Sequence, residues 1–271
     1  MTAPTDPGSS NGVGPTDAAR EPPVEDTACY VFGVVPSGTR LPEDLAGLDG
    51  GPVRLVEHRG VAAVVGGIVS RGPLGARDEL LAHEEVVAAA AEASVVLPFP
   101  FGAVVTAADA VADQLLAPNH GWYADVLADL RGRREFVVTG EYDADALLRE
   151  IMAERPEITD LRAAIGDRPV EASYPERIQL GDAVVRALDD KRAADTDELV
   201  GVLEPYAVAV ALRESAGDAA AADAAFLVPD EERPAFEDAV DRLAARWTGR
   251  VALRLSGPLA PYDFVPFPEE V

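Results

Sequence analysis

Apolar positions are almost absent from residues 1–27, a stretch of Pro, Gly, Ser, Thr and acid, and then begin abruptly. Such a stretch has too little to bury and is expected to be a flexible tail. Cys29-Tyr30-Val31-Phe32-Gly33-Val34-Val35 is rich in β-branched and aromatic residues and stops at Pro36. Being apolar on both faces, it reads as a central strand. Val53–Glu57 and Val61–Val65 flank His58-Arg59-Gly60 as a hairpin. Residues 77–93 switch to a helical period, with Leu80, His83, Glu84, Val87 and Ala91 on one stripe. An extended segment, Val95–Val105, carries two prolines. Two short helices are expected next, with stripes Ala108, Val111, Ala112, Leu115 and Tyr123, Val126, Leu127, Leu130, separated by Pro118.

The pattern then starts again. Arg134–Gly140 reads as a strand, followed by a long helical signal with stripes Ala144/Leu147/Leu148/Ile151, Leu180/Val184/Ala187/Leu188 and Leu199/Val202/Leu203/Tyr206. Strands at Ala207–Leu212 and Ala224–Val228 are joined by the Gly217-Asp218 turn and an Ala-rich stretch. A helix striped by Phe236, Ala239, Val240, Leu243 and Trp247 and a last strand, Val251–Leu255, complete the order. Residues 134–255 therefore spell β, helices, β, β, α, β, the ferredoxin-like arrangement of an antiparallel sheet with helices on one face. The earlier half spells a modified version with a stub for its first crossover. The expected fold class is α+β with two ferredoxin-like modules. The expected divisions are a tail at 1–27, an N-terminal module at 28–132 with two added helices, a C-terminal module at 133–256 with an extended helical crossover, and a Pro/aromatic tail at 257–271.

Charge narrows the function. Of 271 residues, 23 are Lys or Arg and 48 are Asp or Glu, a net charge of −25. That field repels nucleic acid and anionic membranes, and the most basic stretch, Arg131-Gly132-Arg133-Arg134, has acids on either side. The only cysteine, Cys29, excludes an internal disulfide and reads as a buried thiol in a reduced, intracellular protein. The first residues lack a secretory pattern, and no apolar run approaches the ~20 residues needed to span a bilayer.

Catalytic supply is thin. Lys191 is the only lysine and sits in Asp189-Asp190-Lys191-Arg192, so neither a P-loop nor a Schiff-base lysine is credible. His83-Glu84-Glu85 lacks the second histidine of a zincin, because Val87 stands there. His83 shares a face with Leu80 and Val87 and reads as a hydrogen-bonded core histidine. The alternative is a small-molecule-binding or enzymatic α+β protein using His83, Glu84 and Glu141 as acid/base groups. Glu141, Asp143 and Asp145 alternate without the glycine of a calcium loop, and Asp143 fits an N-cap better. His58 and His120 are expected to be isolated and exposed. No metal or cofactor is expected. What stands out is apolar: the Pro98–Phe101 and Pro258–Phe267 segments combine prolines with aromatics. Their aromatics either pack on the protein's own sheet or give a rigid surface to a partner, with Pro98, Phe99, Phe101, Pro258, Pro261, Tyr262 and Phe264 as the candidate interface.

At these segments the sequence resembles the gas vesicle GvpL/GvpF family. The matching pieces are Tyr30–Val35, His83–Val87, Val96–Val104 and Gly257–Val265, in the family's order. The family usually has Arg before the Phe-Gly and Thr after it, where this chain has Pro100 and Ala103. The resemblance implies two α+β modules, no enzymatic activity and no cofactor. It further implies an accessory role in gas vesicles, cytoplasmic before assembly, binding the hydrophobic shell protein and other accessory proteins and assisting nucleation or assembly. An acidic body could keep an aggregation-prone partner in solution while apolar segments engage it.

Overall fold

A computed structural model of the chain describes residues 28–68, 73–105, 110–214, 217 and 219–265. The predicted tail at 1–27, Ala108 and Asp218 lie outside these residues. The first sheet contains β1 (Ala28–Pro36), β2 (Val53–His58), β3 (Val61–Ile68) and β4 (Leu97–Pro98), in the order β2-β3-β1-β4, and β5 (Val104–Val105) also pairs β1. The hairpin is as expected. His58 pairs Val61 across a two-residue turn in which Arg59 has φ 45° and Gly60 φ 96°. Positive φ at both positions is the turn whose twist matches antiparallel strands.

The helix α1 (Arg77–Ala93) covers one face of this sheet, burying Val86, Val87 and Ala90 against Tyr30, Phe32 and Val64. Glu79 starts it by accepting the backbone N–H groups of Gly75 and Ala76 at 2.7 and 2.9 Å. The second face is closed by the added helices, with Leu116, Tyr123 and Leu127 packed on Val31, Val34 and Phe99. Cover on both faces is why β1 is apolar throughout. One expectation fails here: Pro118 does not separate two helices. A π-helical turn, Val111–Leu116, runs straight into α2 (Ala117–Leu130). Pro118 sits in the first turn of α2, where a missing N–H costs little. His120 is consequently on a helix, not a loop. Its Nε2 lies 2.6 Å from the Arg59 carbonyl and its ring 5.9 Å from that of His58, so the two histidines are not isolated.

The second sheet has β6 (Arg133–Tyr142), β7 (Ala209–Leu212), β8 (Ala220–Pro229) and β9 (Val251–Leu259), in the order β7-β8-β6-β9. Taken strand for strand, this is the order of the first sheet. Both sheets are antiparallel throughout. The Ala-rich stretch expected to link two strands is itself strand: Ala220–Ala224 belongs to β8. Ala221, Ala222 and Ala224 are buried in the core of this half. β9 runs on to Leu259, beyond the expected end at 255.

Helices α3 (Ala144–Glu154), α4 (Pro156–Ile165), α5 (Tyr174–Leu203) and α6 (Arg233–Trp247) belong to this half. Asp143 caps α3, its Oδ1 accepting the Ala146 N–H at 2.8 Å, as its position suggested. The stripes read at 180–188 and 199–203 are one continuous helix, α5, and a single 3-10 turn carries it to Tyr206. Its second half buries Ala187, Leu199 and Leu203 with Phe136, Phe226 and Phe236. Its first half, up to Arg186, has no fully buried residue: Leu180, Ala183 and Val184 are half-buried against the same cluster, and the rest lies beside α4 as an arm. The helices thus cover one face of the second sheet, while the other carries Glu135 and Asp223.

Candidate functional site

Four sequence segments that lie far apart in the chain meet at one place. Tyr30 of β1 directs its hydroxyl at His83 Nδ1 on α1, 3.0 Å away, and accepts the Gly102 N–H at 2.9 Å. His83 Nε2 lies 2.9 Å from the Tyr262 hydroxyl, in the 3-10 turn Tyr262–Phe264 that follows β9. The donors balance if the Tyr30 O–H donates to Nδ1 and Nε2–H donates to Tyr262. Phe32 stacks on the His83 ring at 5.7 Å, and Phe101 meets it edge-on at 5.6 Å. His83 is only 3 % exposed. Burial holds its basicity below the ordinary histidine range, against the opposing pull of the Phe99 carbonyl, so the ring is neutral.

The core-histidine reading of His83 therefore fits, with an addition that the sequence did not reveal: its partner is 179 residues away. The C-terminal segment crosses from the second sheet to the first half. Ala260 is buried in the cluster of Tyr30, Phe32 and Val87, and Val265 packs beside the cluster on the opposite face. On the second sheet, Asp263 donates its N–H to Glu135 Oε2 at 3.0 Å, and its carboxylate meets Arg213 Nη1 at 2.5 Å. Arg134 of β6 completes the joint by donating to the Ala91 carbonyl at the end of α1.

The candidate interface residues divide on this geometry. Pro98, Phe99 and Pro261 are buried, in keeping with packing on the protein's own sheet, the first of the two readings open to this segment. The reason is local: β4 pairs with β1 in spite of its proline, which turns Phe99 inward onto Tyr123, ring centroids 6.3 Å apart. Phe101 and Phe264 are half-buried, Pro258 is exposed, and Tyr262 is 38 % exposed though its hydroxyl points inward to His83. The acid/base alternative does not assemble. Glu84 is exposed on α1, while Glu141 is exposed on β6 and lines a different groove with Asp143 and Arg250. Among the described residues no group of three or more His, Cys, Asp or Glu side chains is placed to hold a metal ion. Cys29 is buried, and loss of hydration pushes its thiol up. No described helix is long and apolar enough to cross a membrane.

Two features were missed from sequence. One is an ion cluster in the second half: Asp195 of α5 accepts both Arg250 guanidinium nitrogens, at 2.7 and 2.8 Å, and the Tyr142 hydroxyl at 2.6 Å. Lys191 bridges Glu150 and Glu154 beside it, at 2.6 and 2.9 Å, which gives the only lysine a structural place. The other is the arm. Tyr174, Ile178 and Val185 are exposed at 62, 48 and 56 %, at i, i+4 and i+11 on one stripe of α5, with Val170 exposed just before the helix. An open groove of about 750 Å³ lies beside them between α4 and α5, lined by Ile165, Leu180, Val184, Arg162 and Arg177. The spacing of this second stripe was present in the sequence, alongside the core-facing one.

Fold and joint together define a two-module α+β protein whose halves are held against each other by a hydrogen-bonded joint. The chain belongs to the gas vesicle GvpL/GvpF family: a family model described as "Gas vesicle synthesis protein GvpL/GvpF" matches residues 28–266. It is 31 % identical over 246 residues to gas vesicle protein F of Streptomyces sp. (strain CB03234), covering 87 % of this chain and 98 % of that protein. Gas vesicle protein F of Dolichospermum flosaquae is 26 % identical over 237 residues, covering 87 % and 96 %. The crystal structure of GvpF from Anabaena sp. PCC7120 superposes with a TM-score of 0.77 at 26 % identity, covering 89 % of this chain and 99 % of that one. The four segments that carry the resemblance each supply one member of the joint: Tyr30, His83, Gly102 and Tyr262.

Proposed function

We propose that this chain is an F-type accessory protein of gas vesicle formation, without catalytic activity, that engages the hydrophobic shell protein through the arm formed by α4 and the first half of α5. The observation that carries this reading is the unpartnered apolar stripe Tyr174/Ile178/Val185 on that arm. Residues 162–186, which carry the stripe, hold four arginines and four carboxylates and are neutral on a chain of net charge −25, while the start of α4 adds Glu157 and Asp160. An apolar subunit can land there without meeting the field of the body, and the body keeps the complex dispersed. The protein acts in the cytoplasm before assembly and at the vesicle afterwards, and by presenting shell subunits it assists nucleation or growth.

Capture of the shell protein by the purified chain tests this. Fully burying an apolar side chain of this size is worth about 1.5–3 kcal/mol. Changing Ile178→Ser and Val185→Ser together is therefore expected to weaken capture by about 10²-fold with an unaltered circular dichroism spectrum. Undiminished capture removes the arm from the contact. Failure of the unaltered chain to bind any vesicle protein removes the functional reading.

A further inference from the structure

At the joint, three carboxylates lie about one guanidinium. Arg213 Nη1 meets Asp263 Oδ2 at 2.5 Å and its Nε stands 3.2 Å from Asp223 Oδ1, while Glu135 accepts the Asp263 N–H. Glu135 is 2 % exposed, and the segment that covers it is the strap of residues 260–265 that also seats Tyr262 on His83. Glu135 is the one member shielded from water, while Arg213 and Asp263 keep contact with solvent, and burial beside the Asp263 carboxylate favours retention of a proton on Glu135.

We propose that this strap is a proton-held clasp: a proton on Glu135 keeps it seated across the two halves, and loss of that proton frees it. The groups facing Glu135 are Asp263 and Tyr262 of the strap and Arg213 after β7, with Asp223 of β8 acting on Arg213 and Asp263, and Glu84 of α1 acting on Tyr262. Loss of hydration pushes the Glu135 carboxyl up to about 8, helped by the Asp263 carboxylate and opposed by the Asp263 N–H and by Arg213. Lifting the strap returns Glu135 to water, where a glutamic acid titrates near ~4.3. Between those values opening releases one proton, so the opening constant rises about tenfold for each pH unit. His83 opposes this on the acid side. Its neutral ring holds Tyr262, and its protonation frees the strap only below about pH 6.5. Above that, Glu135 alone sets the clasp. Lifting the strap withdraws Ala260 from the cluster of Tyr30, Phe32 and Val87 and bares apolar surface on both halves. The proposal is independent of what the arm binds.

Hydrogen exchange on the full chain between pH 6.5 and 8, corrected for intrinsic base catalysis, reads the clasp directly. Protection of the Asp263 amide is expected to fall about fifteenfold, the slope flattening as pH nears 8, while amides at the centre of β6 keep theirs. The Glu135→Gln variant, neutral at every pH, is expected to stay protected across the range. Flat protection in the unaltered chain, or parallel loss in Glu135→Gln, overturns the proposal. A second reading needs no variant. The infrared carbonyl band of one protonated carboxylic acid is expected to persist at pH 7 and to vanish with a midpoint near 8. Absence of that band at pH 7 also overturns it.

Discussion

Replacing Asp195 by alanine removes the centre of the ion cluster that ties α5 to the end of the second sheet. Asp195 is 6 % exposed and satisfies the Arg250 fork and the Tyr142 hydroxyl at once. Removing one partner of a buried pair costs about 3–5 kcal/mol, because the other charge stays behind unpaired. Two features of the site lower that figure. The Arg250 side chain is 22 % exposed, and Glu150 Oε2 stands 3.8 Å from it, close enough to re-pair. Trp247 also lies under the guanidinium, 5.1 Å from ring centroid to Cζ, and continues to shield it. The expected loss is therefore at the lower end, about 3 kcal/mol, including an orphaned Tyr142 hydroxyl worth about 1 kcal/mol. With a urea slope of about 2 kcal/mol/M the midpoint should fall by about 1.5 M. Trp247 fluorescence follows this transition in a Trp122→Phe background, since Trp247 also bonds Glu198 at 3.2 Å. A midpoint shift below about 0.3 M with an unchanged slope would refute the assignment of Asp195 as the anchor.

Tyr30→Phe leaves the Gly102 N–H and His83 Nδ1 without their partner, and should cost about 1–3 kcal/mol by denaturant unfolding. A Cβ on Gly33 would stand 2.6 Å from the Leu97 carbonyl, so Gly33→Ala forces β4 from β1. Overpacking of this kind costs about 1–3 kcal/mol, a fall of roughly 2–12 °C in thermal midpoint. His83 binds its proton less readily folded than unfolded, so its contribution is present above about pH 6.5 and is lost as pH falls through its lower folded value. Stability of the unaltered chain should drop between pH 6.5 and 5 more steeply than that of His83→Gln. Equal slopes would place the titration elsewhere.

Much of the fold was legible because period and punctuation agreed along the chain. Arg59-Gly60 between two alternating runs could only be a hairpin, and the repeated β, β, α, β order after two first strands gave both modules. The errors came from rules that tertiary context overrides. Pro118 reads as a break in isolation, yet proline is tolerated in a first helical turn. The Ala-rich 219–224 stretch has little strand propensity, yet most of it pairs in β8 because β6 offers it a full ladder. The joint was half visible. Its motif residues could be named, but a hydrogen bond between His83 and Tyr262 has no local signature. The aromatics were noticed for their chemistry, but their direction was left open between the protein's own sheet and a partner, since pairing of β4 with β1 decides where Phe99 points. The arm was the opposite case. Its stripe has a plain helical period, but the parallel stripe that does face the core drew the attention.

On the proposed reading the arm meets the shell protein while the joint holds the scaffold. The measurement that tests it most directly is the affinity of the shell protein for two variants side by side, Tyr174→Ser/Ile178→Ser on the arm and Tyr262→Phe at the joint. A loss of tenfold or more is expected for the arm variant, and affinity within about twofold of the unaltered chain for Tyr262→Phe. Full affinity in the arm variant, or a loss confined to Tyr262→Phe, would contradict it.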